Sequence, residues 1–224
     1  MERYHIIYED RDIVVVDKPA GLLTVPIPKS SAINLFDLLK QQLKKTGPVY
    51  VVHRIDRFTT GVVMFARNKG AFEDLKQQFI DRSASRMYKA VIHGVPSEDE
   101  GTLVHNMKLI KNSFKNVIVK PGSYGATEAV LHYRVAEAYK DAAMVDVMLE
   151  TGLKNQIRVQ FAEIGHPIIG DHQYGGDHDM LSMDRHALHA HKLGVMHPSR
   201  NERVWFESPL PVDIQRLLVS LKNR

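Results

Sequence analysis

The chain has 224 residues, 44% of them hydrophobic, and carries 30 Lys and Arg against 26 Asp and Glu. That length and apolar content suit one large domain or two small ones with a real core, and the slight basic excess permits a nucleic-acid partner without requiring one. Cysteine is absent, which excludes disulfides, thiolate catalysis and Cys-based zinc sites; no apolar run approaches the ~20 residues of a membrane span, so the expected location is the cytoplasm.

Ile13–Val16 reads as a strand, and Lys18-Pro19-Ala20-Gly21 turns out of it. Asn34 is placed to cap a helix whose Leu35, Leu38, Leu39 and Leu43 share a face, and Gly47-Pro48 ends it. Val49–Val52 is a strand leading into His53-Arg54-Ile55-Asp56-Arg57-Phe58-Thr59-Thr60-Gly61, and Val62–Ala66 is the strand leaving it. Asn68 caps the next helix, with Phe72, Leu75 and Phe79 inward. Strands follow at Arg86–Gly94, Val117–Val119, Ala126–Tyr139 and Ala143–Leu149. A helix over Asn155–Ile164 turns Ile157, Phe161 and Ile164 inward and stops at Gly165 and Pro167. Ala187–Met196 and Arg203–Phe206 are late strands, and a last helix from Val212 buries Ile214, Leu217, Leu218 and Leu221. The order does not repeat strand-helix-strand, which argues for an α+β fold with a mixed, largely antiparallel sheet and flanking helices. No linker rich in Pro, Gly and Ser divides the chain, so residues 1–224 are expected to form a single catalytic domain.

The segment around Asp56 carries the most chemistry. One carboxylate sits among His53, Arg54 and Arg57 between two apolar runs. Neighbouring cations favour a charged carboxylate. Such a group can act as nucleophile or base, while the cations hold a polyanion.

Four separated segments together resemble the RluA-type pseudouridine synthase family. They are Asp17-Lys18-Pro19-Ala20-Gly21-Leu22 with Pro26, the His53–Gly61 segment, Arg86-Met87-Tyr88-Lys89-Ala90, and a run from Thr151-Gly152 through Gln156-Ile157-Arg158 to Gly170-Asp171 and Tyr174-Gly175. The likeness spans about residues 10 to 218. It implies the family's catalytic fold with a central cleft and no separate N-terminal RNA-binding module. It also implies isomerisation of a uridine in structured RNA, ribosomal or transfer, to pseudouridine by a monomer that needs no cofactor and no metal. Asp56 would then be the catalytic carboxylate, able to attack the ribose, attack the uracil or remove a sugar proton. Arg158 would be its guanidinium partner, and Tyr88 would stack on the uracil. Ile157 would wall the pocket, Gln156 would help bind substrate, and Arg54 and Arg57 would fill the space vacated by the flipped-out uridine or bind the adjacent phosphates. Lys18, Lys69, Arg82, Arg86 and Lys89 would extend a phosphate track. The chain departs from the family's pattern at Leu153 (usually Arg), Asn155 (usually His) and Thr60 (commonly Ser), and the first two put the divergence either in the substrate or in the way RNA is held.

Two rivals come from other classes. Leu153 and Asn155 support a catalytically silent RNA-binding protein on the same scaffold. The pool Asp171, His172, Asp177, His178, His186, His189, His191 and His197 supports a metal-dependent hydrolase, although neither H-E-x-x-H nor H-x-H-x-D-H occurs.

Overall fold

The structure, a computed structural model, describes residues 4–110, 115–175 and 183–224. In chain order the elements begin with β1 (His5–Glu9), β2 (Ile13–Lys18), α1 (Leu35–Gln42), β3 (Tyr50–Val51), β4 (Thr60–Ala66) and α2 (Lys69–Ile80). Next come β5 (Ser85–His93), β6 (Glu100–Ile110), β7 (Lys115–Val119), β8 (Thr127–Ala138) and β9 (Ala142–Leu149). The chain closes with α3 (Gln156–Glu163), β10 (Leu188–Met196), β11 (Arg203–Glu207) and α4 (Val212–Lys222). The expected α+β class is what forms, and no helix among the described residues is long and apolar enough to cross a membrane.

The chain folds as two compact units, Met1–Arg86 with Ala190–Pro209, and Met87–His189 with Leu210–Arg224. In the first unit β1, β2, β4 and β10 lie side by side, with β3 on β4 and β11 on β10. The β1–β2, β2–β4, β3–β4 and β10–β11 pairs are antiparallel. Strands β2 and β4 are buried almost throughout, as their unbroken apolar runs require. One face of this sheet, with Ile13, Val15, Val62 and Met64, packs on Ala71 and Leu75 of α2. Both anticipated caps form: the Asn34 side chain accepts from Asp37 N at 2.9 Å, and that of Asn68 from Ala71 N at 2.9 Å.

In the second unit the order is β5, β9, β8, β6, β7. The β6–β7, β6–β8 and β8–β9 pairs are antiparallel. Ile92, Leu131, Val145 and Val147 pack with Ile157 and Phe161 of α3 and with Ile214, Leu217, Leu218 and Leu221 of α4. Each such buried side chain contributes roughly 1.5–3 kcal/mol. α4 starts and buries as its sequence pattern predicts. α3 also forms where expected, with Ile157 and Phe161 in the core and Ile164 packed against it, but every residue from Gln156 to Phe161 is buried, so the helix has no solvated stripe at its start. Two strands lie outside the sequence expectations, β1 and the long β6. Both are exposed on alternate residues, and their apolar residues fall on both faces, so neither shows a clean alternation.

Candidate active site

The Asp56 turn belongs to the first unit and runs from β3 into β4. Its backbone is fastened at several points. Thr24 donates its hydroxyl to Ile55 O at 2.8 Å and accepts from Ile55 N at 3.3 Å, so one buried side chain satisfies both polar groups of the residue before Asp56. On the other side, Lys18 Nζ donates to Arg57 O at 3.0 Å, and to Pro19 O at 2.9 Å and Leu22 O at 2.8 Å. Arg57 Nε returns a bond to Gly21 O at 2.9 Å. Asp56 O accepts from Thr59 N at 3.2 Å and closes the turn. The Asp56 side chain is half-buried, flanked by exposed Arg54 and Arg57. The turn thus presents one carboxylate and two cations on a braced backbone.

Lys18 corrects one expectation. It is 0% exposed, so it reaches no phosphate. Its ammonium instead gathers the carbonyls of two loops, which is how a buried charge is made tolerable. Lys89 of the same supposed track ion-pairs with Asp146 at 2.6 Å.

His53 opens the turn. Its Nε2 accepts from Met64 N of β4 at 2.9 Å, and its ring stacks on Phe79 with centroids 4.7 Å apart. Burial, and then the nearby Arg86 charge, push its pKa down to about 3. The ring is therefore neutral, with its proton on Nδ1. Gly61 ends the turn at φ 111°, and a Cβ there would fall 2.1 Å from Ala190 O of β10. Only glycine fits where the two strands approach so closely.

The second unit holds Tyr88, Gln156, Ile157 and Arg158. Tyr88 is half-buried on β5 beside the core. Arg158 is buried and grips Asp171 with two bonds, Nε at 2.7 Å and Nη2 at 2.8 Å. Its Nη2 also donates to Gln173 at 3.1 Å, and its guanidinium lies 5.0 Å from the Tyr174 ring centroid. Burial pushes the Asp171 carboxyl up, but the hydrogen bonds and charge of Arg158 outweigh it and hold the group below its ordinary value. Gln156 is buried with its amide engaged inside the fold. Its oxygen accepts from Thr151 Oγ1 at 2.8 Å and Leu153 N at 3.0 Å, and its nitrogen donates to Val130 O at 3.1 Å. These bonds set the first turn of α3, whose cap, Asn155, is left-handed at φ 57° and makes no side-chain capping bond. Ile157 is part of the core. Leu153 packs with Ile118 and Tyr174 against Met107 and Val159, so the replacement for the family's usual Arg is apolar filling.

The histidine pool disperses. His197 Nε2 bonds Asp10 at 2.9 Å, and His191 Nδ1 donates to Ser208 O at 2.9 Å. His186 and His189 are buried, and His172 is exposed. Asp177 and His178 lie outside the described residues. Asp10, Asp12 and His197 do bring ligand-type atoms within 4.8 Å of one another. Asp10 already accepts from Asp12 N, Ile13 N, Tyr8 Oη, His197 Nε2 and Arg200 Nη2. Burial raises its pKa, but this set of donors wins and brings it down to about 2. Sequence reasoning missed Thr24 and Asp171 as supports of the candidate site. A lone Thr between Leu23 and Val25 was the only signal for the first.

A family model described as RNA pseudouridylate synthase matches residues 12–163. The uncharacterized RNA pseudouridine synthase YlyB of Bacillus subtilis is 36% identical, over 97% of this chain and 73% of that protein. Ribosomal large subunit pseudouridine synthase D of Zymomonas mobilis is 34% identical, over 98% of this chain and 74% of the relative. Among solved structures, human RNA pseudouridylate synthase domain containing 4 superposes with a TM-score of 0.78 at 26% identity, covering 97% of this chain and 92% of the human one. The fold and the motifs agree with these matches, and the chain belongs to the RNA pseudouridine synthase family, enzymes that isomerise uridine in RNA.

Proposed function

We propose that Asp56 is the catalytic carboxylate of this enzyme, and that Tyr88 and Arg158 are the other two groups of the reaction. The observation that carries the reading is the turn itself. Asp56 is the one carboxylate between two cations on a backbone fixed from both sides by Thr24 and Lys18. A group that must meet one atom of a sugar or base needs this preorganisation. In the reaction the bond from ribose to the uracil nitrogen breaks, the ring turns over, and a carbon bond forms. The hydrogen on that carbon leaves to water, so no redox step occurs.

Arg158 supplies a buried fixed cation held by Asp171. Tyr88 supplies an aromatic face, and Ile157 an apolar one. Gln156 contributes by setting the turn of α3 that carries Arg158. Arg54 and Arg57, exposed beside Asp56, contact the RNA backbone. Ribosomal RNA is the favoured substrate, supported by the name of the Zymomonas relative, with transfer RNA as the alternative. The reading extends to a monomer acting in the cytoplasm, which sedimentation of the purified chain and cell fractionation check.

The test uses ribosomal RNA transcribed with uridine tritiated at the carbon that becomes glycosidic. The wild-type chain releases label to water, and Asp56→Asn releases none while its melting temperature is unchanged. Label release by Asp56→Asn at the wild-type rate would remove Asp56 from the chemistry. RNA binding without any release by the wild type would favour the silent RNA-binding reading.

A further inference from the structure

The chain's single tryptophan lies on the β10–β11 pair of the first unit. Leu193, Val195 and Phe206 point into the core, so strand alternation turns Lys192, Gly194, Arg203 and Trp205 to the opposite face. Trp205 stands across from Gly194, and a Cβ on that glycine would meet the ring carbons at 2.6 Å. The indole therefore lies flat on a bed that only glycine provides. Two cations attend it, with Lys192 Nζ at 5.2 Å and the Arg203 guanidinium carbon at 5.1 Å from the ring centroid. Both are held there: Lys192 pairs with Glu207, and Arg203 donates to Ser83 O and Ser85 Oγ. Trp205 is nonetheless 44% exposed.

A shielded surface tryptophan is the plain explanation for an indole between two cations. Two features go beyond it. The chemistry, an exposed indole with two cations over its ring, is that of single-strand nucleic-acid binding, where bases stack on aromatic and guanidinium planes and phosphates pair with cations. The position also fits. The same β10 strand abuts Gly61, the end of the Asp56 turn, at Ala190. Gly194 lies farther along that strand, about 13 Å away at ~3.3 Å per residue.

We propose that Trp205, with Lys192 and Arg203, is a stacking platform for an unpaired base of the RNA substrate. The proposal rests on the reading of the chain as an RNA-modifying enzyme. Because the tryptophan is single, its fluorescence reports this site alone. The probe is a labelled oligouridylate of about a dozen nucleotides at low salt. Its binding is followed by anisotropy of the label and, separately, by Trp205 emission. Binding quenches Trp205. Trp205→Ala weakens affinity on the order of ten-fold, whereas Trp205→Phe keeps most of it. Lys192→Gln lowers the slope of log affinity against log salt by about one. Circular dichroism melts confirm that each variant folds. Emission unmoved while anisotropy shows bound oligomer overturns the proposal. So does wild-type affinity in Trp205→Ala, or no binding of the oligomer at all. Tritium release from ribosomal RNA by the same preparations reads the Asp56 chemistry independently. Release with an unmoved Trp205 removes the platform and leaves the catalytic reading standing, and quenching without release does the reverse.

Discussion

Arg158 and Asp171 meet through two parallel hydrogen bonds of 2.7 and 2.8 Å, with both side chains buried. Removing one member of such a pair strands a charge, a loss of roughly 3–5 kcal/mol. Asp171→Ala is expected to lose stability in that range in urea unfolding. The double variant Arg158→Met, Asp171→Leu should lose less than the single one, because no unpaired charge remains. The pair also predicts an acid limb. The Asp171 carboxyl is held below its ordinary value in the fold, so its contribution is full above the unfolded carboxylate range. It is lost as pH falls through the folded value. The fall should be shallower in the double variant.

Thr24 braces the residue before Asp56 from a buried position. Thr24→Ala leaves both Ile55 backbone groups without that partner, a loss of roughly 1–3 kcal/mol. Because the brace sits next to Asp56, kcat should fall more than KM rises. Thr24→Ser should restore both. Thermal melts and initial rates of tritium release check the two effects together.

His53 predicts a second pH effect, at milder acidity. Its folded pKa is pushed down to about 3, while the unfolded value is about 6.5. As pH falls below ~6.5 the unfolded chain takes up a proton that the folded one refuses, so stability drops across that window. It is fully present only above it. Comparing urea midpoints at pH 7.5 and 5 should show a loss in the wild type that shrinks in His53→Gln.

Gly61 and Gly122 both have positive φ, at 111° and 79°. They differ in surroundings: a Cβ on Gly61 would strike the Ala190 carbonyl at 2.1 Å, while nothing lies within 4 Å of one on Gly122. Gly122→Ala should cost only the conformational penalty, about 1–2 kcal/mol. Gly61→Ala adds a backbone clash in the middle of the sheet and should fail to fold or melt far lower. Parallel thermal scans decide it.

Much of this architecture could be read from the chain. Asn34 and Asn68 stand directly before periodic apolar runs, and both cap helices. The repeat at Ile214, Leu217, Leu218 and Leu221 gave α4 because one side of it faces solvent. α3 turns the expected Ile157 and Phe161 inward, but the burial of Gln156, Arg158 and Gln160 beside them has no periodic signal because polar side chains bury there through hydrogen bonds. β6 has no legible strand pattern because its inward positions include Gly101 and His105, and exposed Val104 and Leu109 blur the alternation. At the site, Asp56, Arg158 and their motifs were visible as residue types in order. Their supports were not. Asp171 reaches Arg158 because the chain folds back after α3, and no spacing rule encodes that. Lys18 looks like any basic residue at a strand end, and only its complete burial reveals that it binds carbonyls.

Leu153 has a consequence for how this enzyme relates to its kin. The side chain is wedged with Ile118 and Tyr174 against Met107 and Val159, joining the β6–β7 ribbon to the start of α3. Because Leu153 is only half-buried, an arginine written into this position could lay its stem along the same apolar residues while its guanidinium reached water. Such a swap would add a positive charge beside the ribbon without emptying the space the leucine fills.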